Sequence, residues 1–245
     1  MSKTWHEHGR CLAIAHRGDT KAGVENTLPA VESALKMGVD GIEVDLRLTA
    51  DGRVVLFHDN DLVRLASEHG AVEGKTLAEL KALTLSDARS HQGTIPTLEY
   101  LLDLVRDRAL LNLEIKGHWS FSAALEHKTV SLLREFRLRE SIFVSSFHPL
   151  AIFRMRRVAP EIARGYLFEK YLWIHRILIP WVQPFSINPP RSYATNNFVE
   201  AHHRAGHRVF VWTVNDEDDM KTCMKSGVDG IITDEPRRLL ALLKR

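Results

Sequence analysis

Nine short runs rich in branched apolar residues, most of them separated by segments of helical period, constrain this chain to a parallel α/β architecture. The runs are Cys11–Ala15, Gly41–Leu46, Val54–Phe57, Leu110–Ile115, Ile142–Ser145, Ala163–Phe168, Phe185–Ile187, Val209–Val214 and Gly230–Thr233. Asn26-Thr27 followed by Pro29 reads as an N-cap with proline in the first turn, opening a helix that runs to Met37 and closes at Gly38. Further helices are predicted over Thr97–Arg106, Glu126–Arg137, Leu150–Val158, Asn196–Ala205 and Glu217–Lys225. Nine strands are one too many for a (β/α)8 TIM barrel. Asp51-Gly52 resolves the count, because Asp-Gly between two strand-like runs signals a two-residue hairpin. Val54–Phe57 then folds back on Gly41–Leu46, with His58 opposite Asp45, and eight parallel strands remain for a closed barrel. Residues 60–93 read as a small insertion over one end, so residues 1–245 are expected to form a single domain.

Charge and cysteine usage narrow the function. Lys and Arg total 33 against 31 Asp and Glu, which leaves no basic footprint for nucleic acid. Cys11 and Cys223 form no spacing pattern and read as small buried hydrophobes in a reducing compartment. The polar stretch from Met1 to Arg10 has no apolar core of a signal peptide, so the expected address is cytoplasmic. The longest apolar stretch, Tyr171–Val182, is broken by His175, Arg176 and Pro180 and is too short to span a bilayer. It carries Trp173 and Trp181, so it reads either as a buried barrel helix or as an amphipathic element making peripheral contact with a membrane or a partner subunit.

An internal echo separates structure from function. Gly38-Val39-Asp40-Gly41-Ile42 recurs as Gly227-Val228-Asp229-Gly230-Ile231, a helix C-cap leading into a strand in both copies. After the shared frame, the second copy carries Ile232 where the first carries Glu43. The fold accepts an apolar residue there, so the carboxylate has a chemical purpose. Barrel active sites form at the C-terminal ends of the strands, where His16-Arg17, Glu43, Asp45, Glu114 and Lys116 stand. Glu43 and Asp45 share one strand face, and Glu114 and Lys116 share another. A Glu-x-Asp pair alone is more often a solvated strand edge, and Glu-x-Lys a surface ion pair. Their joint placement at strand ends argues otherwise. Three converging carboxylates need a cation, and all-oxygen donors suit Mg²⁺, Ca²⁺ or Mn²⁺. Arg17 and Lys116 beside that ion make a receptor for a tetrahedral phosphate, and His16 and His58 supply general acid and base. The implied chemistry is metal-assisted phosphodiester cleavage.

These residues resemble the glycerophosphodiester phosphodiesterase family. The resemblance rests on Ala15-His16-Arg17-Gly18, Glu25-Asn26-Thr27, Gly41-Ile42-Glu43-Val44-Asp45, Thr49-Ala50-Asp51-Gly52 and Val54-Val55-Leu56-Phe57-His58-Asp59. It continues through Ile95-Pro96-Thr97-Leu98, Asn112-Leu113-Glu114-Ile115-Lys116, Ser145-Ser146-Phe147, Val211-Trp212-Thr213-Val214-Asn215 and Thr233-Asp234-Glu235-Pro236. The resemblance implies a TIM barrel with an insertion after the second catalytic histidine. It also implies catalytic His16 and His58, divalent-metal ligands Glu43, Asp45 and Glu114, phosphate contacts Arg17 and Lys116, and Trp212 on the glycerol side. The family's usual reaction turns a small-molecule glycerophosphodiester and water into glycerol 3-phosphate and an alcohol. The resemblance implies one histidine as general acid and the other as general base.

Weaker candidates are Glu25, Asn26 and Phe147, for which helix capping and core packing are equally good explanations. Asp234 reads as a turn residue or N-cap. His6, His8, His202, His203 and His207 read as surface histidines. Two alternatives compete with the leading reading: a lysophospholipase D-like hydrolase at a membrane surface, and a non-catalytic phosphate-binding barrel.

Overall fold

The computed structural model describes Trp5 and residues 9–116, 122–170 and 173–244. The first half of the chain runs β1 (Leu12–His16), α1 (Leu28–Met37), β2 (Gly41–Leu48), β3 (Val54–Leu56), α2 (Val63–Ala66), α3 (Leu77–Lys81), β4 (Leu85–Ser86), β5 (Gln92–Gly93), α4 (Leu98–Val105) and β6 (Leu110–Ile115). The second half runs α5 (Ala124–Glu135), β7 (Ile142–Ser146), α6 (Pro149–Val158), β8 (Ala163–Leu167), α7 (His175–Val182), β9 (Ser186–Asn188), α8 (Asn196–Arg204), β10 (Arg208–Val211), α9 (Glu217–Lys225), β11 (Gly230–Thr233) and α10 (Pro236–Leu242). Neighbouring strands follow the order β1-β11-β10-β9-β8-β7-β6-β2, and β1 pairs with β2 to close an eight-stranded parallel barrel. The expected (β/α)8 fold is therefore present, with β3 as the antiparallel return arm on β2.

The hairpin register differs from the expectation. Leu46 pairs with Leu56 and Leu48 with Val54, one residue out of step with a two-residue turn. Thr49 N donates to Arg53 O at 2.9 Å and Gly52 N to Thr49 O at 3.0 Å, which closes a three-residue loop with Gly52 at φ +75°. A side chain at Gly52 would be strained there, so Asp-Gly marks the turn but not its length. Phe57, not His58, consequently lies beside Asp45, its N–H donating to Asp45 O at 3.0 Å.

Strand alternation divides the barrel interior into an apolar floor and a polar rim. Leu12, Ile14 and His16 share one face of β1, and Leu110, Asn112 and Glu114 share one face of β6. The floor is Leu12, Ile14, Leu110, Phe143 and Phe210, plugged by Trp5, whose ring lies 5.2 Å from Phe143 and 5.3 Å from Phe210. Trp5 Nε1 also donates to Ser141 O at 3.0 Å. The larger core lies between barrel and helices, where Val31, Ala34, Leu101, Leu133, Met155 and Met220 meet the outward strand residues. The insertion has a core of its own, built on Leu62, Leu65, Val72, Leu80 and Leu85 against Val55 and Phe57 of the return arm.

The internal echo is structural, as read. Gly38 and Gly227 both adopt positive φ, at 82° and 78°. Asp40 accepts from Ala13 N at 2.9 Å and pairs with Arg10, and Asp229 accepts from Val209 N at 2.7 Å and pairs with Arg208. Each aspartate pins the start of a neighbouring strand. Helix α10, which opens on Pro236, and the short insertion helices were not foreseen.

Among the histidines expected at the surface, His203 is exposed, whereas His202 and His207 are partly buried and His6 and His8 lie outside the described residues. Burial pushes His202 down to about 4, so it is neutral at pH 7. Burial also pushes the free thiols of Cys11 and Cys223 up, to about 12 and about 11, which keeps both unreactive.

Among the described glycines, Gly165 of β8 leaves the least room for a side chain. A Cβ there would overlap the Phe143 ring edge and sit 2.8 Å from Ser186 Oγ. Gly165→Ala is expected to lower stability by about 1–3 kcal/mol, read as a lower urea midpoint; an unchanged midpoint would mean the interior yields.

Candidate active site

The parallel register carries five polar side chains to one rim. His16 lies level with Glu43, Glu43 with Asn112, and Asp45 with Glu114. Carboxylate oxygens of Glu43, Asp45 and Glu114 lie within 4.8 Å of one another, all in buried residues. Arg17 Nε is 3.1 Å from Asp45 Oδ2, and Lys116 Nζ is 3.0 Å from Asp45 Oδ1. Lys116 also pairs with Glu114.

The three carboxylates do not ionise alike. Burial, then the charges of Asp45 and Glu114, pushes Glu43 well above its ordinary range. Burial also raises Glu114, opposed by Lys116. Asp45 is buried as deeply, yet Lys116 and Arg17 overcome that penalty and hold it well below the usual carboxylate range. Two fixed cations thus neutralise part of a triple negative charge, and Glu43 Oε1 is buried with no hydrogen-bond partner among the described residues. A divalent cation bound by these oxygens would satisfy both deficits, so the donor set fits a hard metal ion.

Both histidines are oriented by carboxylates. His16 Nδ1 lies 2.7 Å from Asp234 Oδ1, and Asn215 Nδ2 holds the other Asp234 oxygen at 2.8 Å. His58 Nδ1 lies 2.7 Å from Asp59 Oδ1, and Arg64 Nε donates to Asp59 Oδ2 at 2.6 Å. Each ring therefore commits Nδ1 and leaves Nε2 for the cleft. His16 Nε2 lies 3.8 Å from Glu43 Oε2. Burial lowers His58 below the ordinary imidazole range, with Asp45 opposing and Lys116 and Arg17 assisting.

The cleft at this rim has a volume of about 320 Å³ and is lined by His16, Arg17, Glu43, His58, Glu114, Lys116, Phe147 and Trp212, among others. Phe147 and Trp212 form an edge-to-face pair at 5.2 Å and supply its apolar wall, with Trp212 Nε1 donating to Asn188 O at 2.8 Å. Phe147 is thus a cleft residue and not merely core packing. Ile232, the echo's counterpart of Glu43, lines the same cleft.

Glu25 and Asn26 stand behind that lining. Asn26 is no helix cap: Thr27 occupies that position, and buried Asn26 donates to Asp45 Oδ2 at 2.7 Å while accepting from Asp45 N at 3.0 Å. Glu25 accepts from Arg17 Nη1 at 2.8 Å and from Arg64 Nη2 at 2.6 Å. Asp59, Arg64 and Asn215 were not singled out in the sequence, and Asp234, read there as a turn residue or N-cap, is instead the partner of His16. Asp59 directly follows His58, and Asp234 is the echo's counterpart of Asp45. Those two signals were present.

A parallel barrel whose mouth holds two carboxylate-anchored histidines beside a buried acidic triad and two cations defines a hydrolase of phosphate esters. The profile of the glycerophosphoryl diester phosphodiesterase family matches residues 16–238. A protein of Caldanaerobacter subterraneus subsp. tengcongensis, named glycerophosphodiester phosphodiesterase, is 34% identical over 96% of this chain and 99% of its own. One of the same name from Bacillus altitudinis is 32% identical over 94% and 96% of the two chains. Among solved structures, an Oleispira antarctica phosphodiesterase in complex with the product sn-glycerol-3-phosphate superposes with a TM-score of 0.85 at 28% identity, covering 95% of this chain and 96% of that one. A putative glycerophosphoryl diester phosphodiesterase from Silicibacter pomeroyi gives 0.89 at 26% identity, over 97% and 94%. This chain belongs to the glycerophosphoryl diester phosphodiesterase family and is an enzyme of that class.

Asp234→Asn keeps the shape of the His16 contact and removes its charge. We expect a loss of about 10- to 100-fold in kcat with an unchanged urea midpoint; full activity would show that Asp234 does not orient His16.

Proposed function

We propose that the chain hydrolyses glycerophosphodiesters to glycerol 3-phosphate and an alcohol, with His16 and His58 as the acid/base pair. The observation that carries this reading is that both rings bind a carboxylate through Nδ1 and border one cleft, with no hydrogen bond to either Nε2 among the described residues. Arg17 commits Nε and Nη1 to carboxylates, which leaves Nη2 for a phosphate oxygen; Lys116 supplies the second positive charge. Phe147 and Trp212 offer an apolar wall to the carbon face of the glycerol.

In this scheme one histidine takes the proton of the neighbouring glycerol hydroxyl as its oxygen attacks phosphorus. The other protonates the departing alcohol oxygen as its bond to phosphorus breaks. The pair then exchanges roles while water opens the cyclic phosphate, restoring both protonation states. Glu43, Asp45 and Glu114 would hold one divalent cation, Mg²⁺ or Ca²⁺ with Mn²⁺ also suited to the donors. When bound, such a cation lowers the pKa of an attacking hydroxyl and offsets charge developing on phosphorus.

Arg64 ties the insertion to His58 through Asp59 and to Arg17 through Glu25, which supports residues 1–245 working as one domain. Two free thiols fit a reducing, cytoplasmic setting. No described helix is long and apolar enough to cross a membrane. The alternatives are weaker. A non-catalytic barrel has no use for two anchored histidines, and the tryptophans that motivated a lysophospholipid substrate lie outside the cleft lining.

The test is turnover of glycerophosphocholine by protein stripped of metal and then supplied with Mg²⁺ or Ca²⁺. Glycerol 3-phosphate should appear only with metal, and His16→Ala and His58→Ala should each lower kcat by about 10²- to 10⁴-fold. Metal-independent turnover, or release of phosphocholine, would contradict the scheme.

A further inference from the structure

Five large hydrophobic residues are strongly exposed among the described residues, and three of them, Trp173, Ile177 and Trp181, recur at intervals of four along and just before α7. They are 73%, 59% and 41% exposed, and Pro180 between them is exposed as well. The buried face of α7, His175, Ile179 and Val182, packs inward, so the helix presents a second apolar face outward. Phe153 of α6 extends that face by stacking on Trp181 at 4.2 Å. An apolar stripe with two tryptophans is not an ordinary surface.

Its border is cationic. Arg176 lies on the exposed side of α7, Arg156 donates to Trp181 O at 2.9 Å, and Arg157 follows on α6. None of the three is ion-paired to a carboxylate among the described residues, and α6 carries no acidic residue at all. A second copy of the chain seated on this stripe would bring those arginines against their own equivalents. An anionic lipid surface complements them, and tryptophan rings with basic side chains are the residues that lie stably at headgroup depth.

The stripe also begins at the working end of the barrel. Leu167 ends β8 and, with Glu169, lines the cleft, and Trp173 follows in the same connection. We propose that Trp173, Ile177 and Trp181, with Arg156, Arg157 and Arg176, form a peripheral docking face for anionic phospholipid surfaces. The inference rests on the proposed reaction in one respect: a glycerophosphodiester is a phospholipid stripped of both acyl chains, so a deacylation reaction at a lipid surface must supply it. Docking would place the enzyme where its soluble substrate is released.

The experiment is co-sedimentation of the full chain with vesicles of phosphatidylcholine alone or doped with phosphatidylglycerol, alongside turnover of soluble glycerophosphocholine. The protein should pellet with the anionic vesicles, less so at high salt, and Trp173→Ala with Trp181→Ala or Arg176→Glu should weaken binding about tenfold or more. Turnover should be unchanged in these variants, which shows that they fold. Absence of binding to anionic vesicles, binding unaffected by the substitutions, or a self-association that the same substitutions abolish would overturn the docking face. Loss of glycerophosphocholine turnover in the unmodified protein would instead strike the proposed reaction.

Discussion

Crowding of like charge at the rim of the barrel is the constraint on which the rest of this site depends. Glu43, Asp45 and Glu114 are buried with oxygens no more than 4.8 Å apart, a spacing that three ionised groups cannot hold unaided. Arg17 and Lys116 answer part of the charge, and both converge on Asp45. Asn26 then fixes the Asp45 carboxylate and backbone together. The ionised centre of the site is therefore Asp45, whereas burial and the neighbouring carboxylates push the Glu43 carboxyl well above its ordinary range.

From that centre the interactions run outward in an ordered chain. Arg17 binds Glu25, Glu25 binds Arg64, and Arg64 binds Asp59, which orients His58. On the other side, Asn215 holds Asp234, which orients His16. Many of these side chains are short or hydrogen-bonded at both ends, so little rotamer freedom is left to lose when substrate binds. The apolar floor of Trp5, Phe143 and Phe210 keeps water from reaching the site from below. Function is placed at the strand ends and stability at the strand beginnings.

Much of this was legible in the sequence, because strand periodicity is strict. Spacing by two put Glu43 with Asp45 on one face, and the echo's Ile232 showed that an acid there was a chemical choice. Other features were set by contacts that no local pattern records. The hairpin register depended on a three-residue loop closed by Gly52, which Asp51-Gly52 does not distinguish from a tighter turn. Asn26 looked like a cap because asparagine before a helix usually is one; its partner, Asp45, is remote in sequence. Arg64 sits in an insertion without periodicity, and its role exists only through Glu25 and Asp59. For α7, both faces are apolar, so composition could not decide which one is covered; the packing of Ile179 with Tyr166, Phe168 and Ile187 does.

The central claim is that the acidic triad is a metal site whose repulsion the protein tolerates when empty. Thermal unfolding of the unmodified chain and of Glu43→Gln, each with and without Mg²⁺ or Ca²⁺, tests it directly. The account predicts that saturating cation raises Tm of the unmodified chain, by about 2.7 kcal/mol of stability at a hundred times Kd. It also predicts that Glu43→Gln is at least as stable as the unmodified chain without metal and loses most of the metal-induced gain. A Tm indifferent to both cations, or a Glu43→Gln variant that keeps the full metal response, would contradict it.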